Sequence, residues 1–207
     1  MEASRSNSLA VLRNAARGCR DCSLWANATQ TVFGEGNAHA KVMLVGEQPG
    51  DQEDIKGLPF VGPAGQLLDR ALERAGVDRR TVYVTNAVKH FKWGPRGKRR
   101  LHKTPAQREI EACRQWIEGE IRAVKPRVIV CLGATAARSL LGKDFRVSRE
   151  RGKFVKSAYA PFVFATLHPS AILRAPDDAS REAGLEQLIE DFSLIRSALA
   201  SKNDEAA

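Results

Sequence analysis

Four short runs, each almost wholly apolar, constrain this chain most: Lys41–Gly46 (KVMLVG), Thr81–Asn86 (TVYVTN), Arg127–Gly133 (RVIVCLG) and Phe162–Leu167 (FVFATL). A strand with one wet face alternates polar and apolar residues. A run that is apolar throughout suits a strand covered on both faces, as in a parallel sheet. Helical patterns separate the runs. One follows Gly62-Pro63, carries Leu67, Leu68, Ala71, Leu72 and Ala75, and stops at Gly76. A second opens at Thr104-Pro105-Ala106-Gln107, which reads as a capping box with proline at the first helical position. It sets Ile110, Cys113, Ile117, Ile121 and Val124 on one stripe. A short third spans Ala134–Leu141 before Gly142, and the last runs from Arg181 to Leu199. This alternation predicts an α/β fold, a three-layer α/β/α domain around a central four-stranded, mainly parallel sheet. The domain is expected over residues 1–199, with 200–207 a polar, disordered tail. Ligands of such sheets bind at the carboxyl ends of the strands. Polar residues follow three of the four runs there: Gly46-Glu47-Gln48-Pro49-Gly50, Asn86 and His168-Pro169-Ser170.

With 43% hydrophobic residues the chain can bury a full core, which excludes disorder as a global description. No apolar run approaches the roughly 18 residues of a membrane span. The start, MEASRSNSLAVLRNAARGC, lacks a signal peptide's apolar centre. The expectation is therefore a cytoplasmic protein without membrane contact, in which four cysteines suit metal or redox chemistry better than disulfides. Cys19-Arg20-Asp21-Cys22 can bring two thiolates to one ion, and thiolates select zinc or iron–sulfur clusters. Cys131 lies inside an apolar run, where cysteine behaves as a small hydrophobe. Cys113, on a helical stripe, reads equally as ligand or core. If Cys131 is core, His90 is the nearest candidate for a fourth ligand, since imidazole can replace thiolate in iron–sulfur ligation.

The 33 Lys and Arg exceed the 24 Asp and Glu by a net charge of +9. Seven of the positives fall in residues 89–103 (KHFKWGPRGKRRLHK), with no acid and with Phe91 and Trp93 interleaved. Gly94, Pro95 and Gly97 mark this stretch as a loop. Basic and aromatic residues together suit a nucleic-acid backbone and its bases. His102 lies within the run, where surrounding cations would keep its ring neutral and nucleophilic.

GEQPGDQED (46–54), GLPFVGPAG (57–65), VYVTN (82–86), LGATAA (132–137) and HPSAILR (168–174) resemble the motifs of the uracil-DNA glycosylase superfamily, in order and spacing, over roughly residues 15–195. Cys19-x-x-Cys22 is similar to the start of its iron–sulfur branch. Gln48 and the KRRLHK segment resemble the X-type uracil-DNA-binding proteins (UdgX), whose loop histidine becomes linked to DNA. The resemblance implies an iron–sulfur cluster, 4Fe–4S in type, on Cys19, Cys22, His90 and Cys113, with Cys131 as core. A zinc site of all four cysteines is the alternative. It further implies that Phe60 stacks on uracil, that Asn86 reads its edge, and that Gln48 and Asp51 join them at the substrate. His168 would stabilise the departing uracil anion, and Glu47 would face the sugar. Lys98, Arg99, Arg100, Ser170, Leu173 and Arg174 would lie at the DNA, with Arg99 and Arg100 holding the loop down either on phosphate or on an acidic neighbour. The implied function is cleavage of the N-glycosidic bond of uracil in DNA, preferentially single-stranded, by a monomer that stays attached to C1′ through His102. An ordinary hydrolytic glycosylase and a non-catalytic iron–sulfur DNA-binding module are the competing readings.

Overall fold

Alternate residues of each apolar run face opposite sides of one sheet. Val42 and Leu44 enter one core with Val82, Val84, Val128 and Val130, while Met43 and Val45 enter a second with Tyr83, Ile129 and Cys131. The computed structural model describes residues 6–201. In chain order the elements are α1 (Leu9–Ala16), β1 (Glu35–Gly36), β2 (Val42–Gly46), α2 (Asp51–Lys56), α3 (Pro63–Arg74), β3 (Val82–Asn86), β4 (Trp93–Arg96) and β5 (Arg99–His102). They continue with α4 (Gln107–Val124), β6 (Val128–Leu132), α5 (Ala134–Leu141), α6 (Val147–Glu150), β7 (Phe162–Thr166), α7 (Pro169–Leu173) and α8 (Asp178–Ala200).

The four expected strands pair in parallel, in the order β3-β2-β6-β7. A two-residue antiparallel strand, β1, adds an edge beside β3 that no apolar run announced. Leu68, Ala71 and Leu72 of α3 pack with Leu185, Leu188, Phe192 and Ile195 of α8 on one face. Ile117, Ile121 and Val124 of α4 pack with Ala136, Ala137 and Leu140 of α5 on the other, which completes the three layers. No helix among the described residues is long and apolar enough to cross a membrane.

Three local expectations are corrected. The basic stretch is not an open loop: Trp93–Arg96 and Arg99–His102 form an antiparallel hairpin in which Trp93 pairs with His102. Helix α4 begins two residues late, at Gln107 with Ala106 as its cap, because the Glu109 carboxylate accepts the Ala106 N–H at 2.6 Å. Pro105 therefore precedes the helix instead of opening it. Helix α8 starts earlier than its apolar periodicity, at Asp178, because Asp177 accepts the Ser180 N–H at 2.7 Å and caps it. Of the expected tail, residues 202–207 lie outside the described residues.

Candidate active site

Connections leave β2 and β6 in opposite directions, toward β3 and β7, so the crevice at their carboxyl ends is the switch point where α/β sheets bind ligands. Glu47 follows β2 there, and Thr135 stands at the start of α5 after β6. The Thr135 hydroxyl donates to Glu47 Oε2, and Glu47 Oε1 lies 3.1 Å from Nε2 of His102. Burial would raise the Glu47 carboxyl, but the bonds from His102 and Thr135 outweigh it and hold the group below the usual carboxylate range. The ring of His102 thus faces a carboxylate, where the sequence suggested a surround of cations.

The registered pair Gly46 and Asn86 ends β2 and β3. A Cβ at Gly46 would come within 2.6 Å of Phe60 Cζ and closer still to Asn86 Oδ1, so only glycine lets these two side chains meet. Phe60 takes a left-handed backbone, φ 56°, which a bulky residue adopts only when its surroundings impose it. Glu53 supplies that constraint by accepting the N–H groups of Val61 (3.0 Å) and Gly62 (2.7 Å) just after Phe60, and that of Gly50 at 3.1 Å. The Phe60 and His168 rings stack at 6.1 Å. Nδ1 of His168 accepts the Ser170 N–H at 3.1 Å, which leaves the proton of the neutral ring on Nε2. Desolvation pushes this imidazole down to about 4, so it is neutral at pH 7. A flat face, an amide and an N–H donor thereby surround one crevice.

The hairpin is held over this crevice by residues expected at the substrate. Gln48 donates to the carbonyls of Lys92 and Lys103, both at 3.1 Å, and accepts the Lys92 N–H at 3.0 Å. The Arg100 guanidinium grips Asp51 and the fully buried Asp54, each at 2.6 Å, and lies over the Phe91 and Trp93 rings. Arg100 therefore anchors the hairpin on acidic neighbours, one of the two roles expected of it, and Asp51 is engaged by that anchor. Lys98, Arg99, Leu173 and Arg174 are exposed, and Ser170 sits at 2.8 Å from His168 Nδ1. Thr135, Glu53 and Asp54 escaped the sequence reading although each lies within a quoted motif: the partners of Thr135 and Asp54 are distant in the chain, and those of Glu53 are backbone N–H groups, which residue type does not reveal.

Cys19, Cys22 and Cys113 share one apolar cluster between α1 and α4. Cys131 belongs to a different core, against β2 and β7, so the four-cysteine zinc site does not assemble. Among the described residues no three His, Cys, Asp or Glu side chains form a group that could hold a single ion. The donor set nonetheless fits a thiolate-bound cluster. The Thr31 hydroxyl donates to the Ala16 carbonyl at 2.9 Å, so it must accept from Nε2–H of the neutral His90 ring, also at 2.9 Å. The bare Nδ1 that this leaves is the buried side-chain polar atom without a partner among the described residues, the state a metal-binding imidazole requires. Cys19 Sγ accepts the Trp116 indole N–H (3.2 Å) and Cys113 Sγ the Lys89 N–H (3.3 Å). Burial raises all three thiols, Cys113 to about 12, so a cation is what would draw their protons off.

The model of the uracil DNA glycosylase superfamily matches residues 33–193. The chain is 37% identical over 205 residues to a type-4 uracil-DNA glycosylase of Saccharolobus solfataricus, covering 95% of this chain and 88% of the relative. It is 35% identical to a type-4 enzyme of Thermotoga maritima, covering 93% and 97%. Against a type-5 enzyme of Pyrobaculum aerophilum the identity is 30%, covering 79% and 76%. With the fold, the crevice and these matches in agreement, the chain belongs to the uracil-DNA glycosylase superfamily.

Proposed function

We propose that the protein excises uracil from DNA and remains joined to the resulting sugar through His102. The contact that carries this reading is Glu47 Oε1 to His102 Nε2 at 3.1 Å, which sets a nucleophilic ring beside a proton acceptor at the mouth of the crevice. The relatives' activity supports the excision itself, and it requires a base that is flipped out or already unpaired. Phe60 stacks on the uracil and the Asn86 amide meets its edge with one donor and one acceptor. As the C1′–N1 bond breaks, charge gathers on the base, and Nε2–H of the neutral His168 donates to uracil O2. One nitrogen of His102 bonds to C1′ with its lone pair, and the proton on the other nitrogen passes to Glu47. Uracil leaves as an anion and takes its proton from solvent. The product is a neutral N-alkyl imidazole, a poorer leaving group than the carboxylate of a glycosyl ester, so the protein stays attached.

Cys19, Cys22, Cys113 and His90 would hold an iron–sulfur cluster, 4Fe–4S in type, whose chemistry when bound is structural, tying the amino-terminal segment to α4. Lys98, Arg99, Ser170, Leu173 and Arg174 would meet a single-stranded substrate, with the protein acting as a monomer. The names and identities of the type-4 relatives favour a second reading, hydrolytic excision, in which Glu47 orients water. A uracil-containing single-stranded oligonucleotide separates the two. The proposal expects a protein–DNA band that survives boiling in SDS and disappears in His102→Ser. Free uracil with alkali-labile abasic DNA and no such band establishes the hydrolytic reading. Neither product leaves a non-catalytic DNA-binding module.

A further inference from the structure

Beneath the carboxyl end of β3 lies a polar network that the proposed chemistry leaves unused. Lys89 and Glu120 are both fully buried and form an ion pair. Glu120 also accepts the Tyr83 hydroxyl (3.0 Å), the Thr85 hydroxyl (2.9 Å) and the Gly34 N–H (2.8 Å). An ammonium has three protons, and each has a partner: Glu120 Oε2, Thr85 Oγ1 at 2.6 Å, and the main-chain carbonyl of Asn86 at 2.8 Å. Lys89 is itself fixed through its backbone, its N–H on Cys113 Sγ and its C=O accepting the Val32 N–H at 2.8 Å.

A buried ion pair is a poor device for stability alone, because apolar residues of similar volume serve as well. What apolar residues cannot supply here is the third proton, delivered to the residue whose side chain lines the base pocket. We propose that Lys89 is a positioning residue for uracil recognition. By holding the Asn86 carbonyl, it fixes the peptide plane from which the Asn86 amide reaches the base. The Ala87 N–H, bonded to the Gly46 carbonyl at 2.8 Å, holds the other side of the same plane. Asn86 is then set from both ends, and an amide whose orientation is set can distinguish a carbonyl from an amino group.

This inference rests on the reading of Asn86 as the base-reading residue, and the test separates the two. The measurement is the concentration of free uracil that halves the rate of reaction with a uracil oligonucleotide, alongside affinity for an abasic-site oligonucleotide. Lys89→Met/Glu120→Gln removes both charges together, so no ion is left buried without its partner. Its half-inhibiting uracil concentration should rise roughly ten-fold or more, the worth of one charge-assisted hydrogen bond, while abasic-site affinity stays at the wild-type value. Tyr83→Phe takes a bond from Glu120 but none from Lys89, and should inhibit like wild type. If the double variant does not fold, Thr85→Val keeps the pair, removes one partner of Lys89 and should show a smaller rise. Wild-type protein that free uracil does not inhibit overturns the reading of the pocket, and the inference with it. An inhibited wild type with an unchanged double variant, an unchanged Thr85→Val, or an equal loss in Tyr83→Phe overturns the positioning role alone.

Discussion

Gly46→Ala adds a single methyl group at the point where two of the proposed base-binding side chains meet. Its Cβ would lie 2.6 Å from Phe60 Cζ and nearer to Asn86 Oδ1, where ordinary contact begins at 3.4 Å. Both neighbours must retreat by about 1 Å, and neither backbone is free to follow. Phe60 is pinned through Glu53 and by the packing of Gly65 against its carbonyl, and Asn86 through its strand register and Lys89. The strain therefore falls on the two side chains that define the pocket. Overpacking of this kind costs about 1–3 kcal/mol, which lowers the melting temperature of a chain this size by roughly 2–4 °C per kcal/mol. A displacement near 1 Å in a positioning group can slow a reaction on the order of a hundred-fold. Single-turnover uracil release and a thermal melt of the same preparation test both numbers. A Gly46→Ala protein that melts with wild type and excises at the wild-type rate would refute the assignment of Phe60 and Asn86 to the base.

Arg100→Gln leaves Asp54 buried with only the Thr29 N–H, at 3.0 Å, to satisfy it. Urea melts should show a loss of about 3 kcal/mol, largely restored in Arg100→Gln/Asp54→Asn, and a variant as stable as wild type would remove Arg100 as the anchor of the hairpin. For His168 the folded value near 4 lies below the ordinary 6.5, so the unfolded chain binds the extra proton between these values and stability falls as pH drops through that window. Melts at neutral pH and near pH 4 should show wild type losing up to about 3 kcal/mol more than His168→Gln, and parallel losses would contradict a neutral, enclosed ring. Lys98 is exposed on the hairpin, whereas Lys92 is paired with Glu109 at 2.8 Å. Lys98→Gln should reduce the salt dependence of single-strand binding by roughly 0.7 in slope, and Lys92→Gln should leave it unchanged.

The four parallel strands were legible because burial on both faces writes itself into every residue of a run. Sites were legible only as far as residue type betrays chemistry. His168, Asn86 and Phe60 come together as expected, but the hold of Asp51 and Gln48 on the hairpin was not legible, because an acid or an amide near a site does not declare its protein partners. Their partners, Arg100 and the Lys92 and Lys103 backbone, are 44 to 55 residues away in the chain. The hairpin was hidden for a related reason. Glycine, proline and like charges in residues 93–102 all oppose a strand when read locally. Tertiary anchors override them: Gln48 closes the base of the hairpin, and Arg100 ties its second strand to α2.

That second strand shows why the override has consequences for chemistry. Side chains of a strand alternate between its faces, so Arg100 and His102 share one face, and Arg99, Leu101 and Lys103 share the other. The inward pair divides its work: the guanidinium is consumed by Asp51 and Asp54, and the imidazole two residues on is brought to Glu47. A flexible loop of the same composition would have to lose its freedom each time the ring approached a sugar, whereas an anchored strand has already lost it on folding. The same pairing reduces the apparent charge of the segment. Lys89, Lys92 and Arg100 are bound to acids of the protein itself, which leaves Arg96, Lys98, Arg99 and Lys103 exposed for a polyanion. The cations that looked like one patch in the sequence thus serve two purposes, some fixing the geometry of His102 and the others facing the solvent from which DNA must arrive.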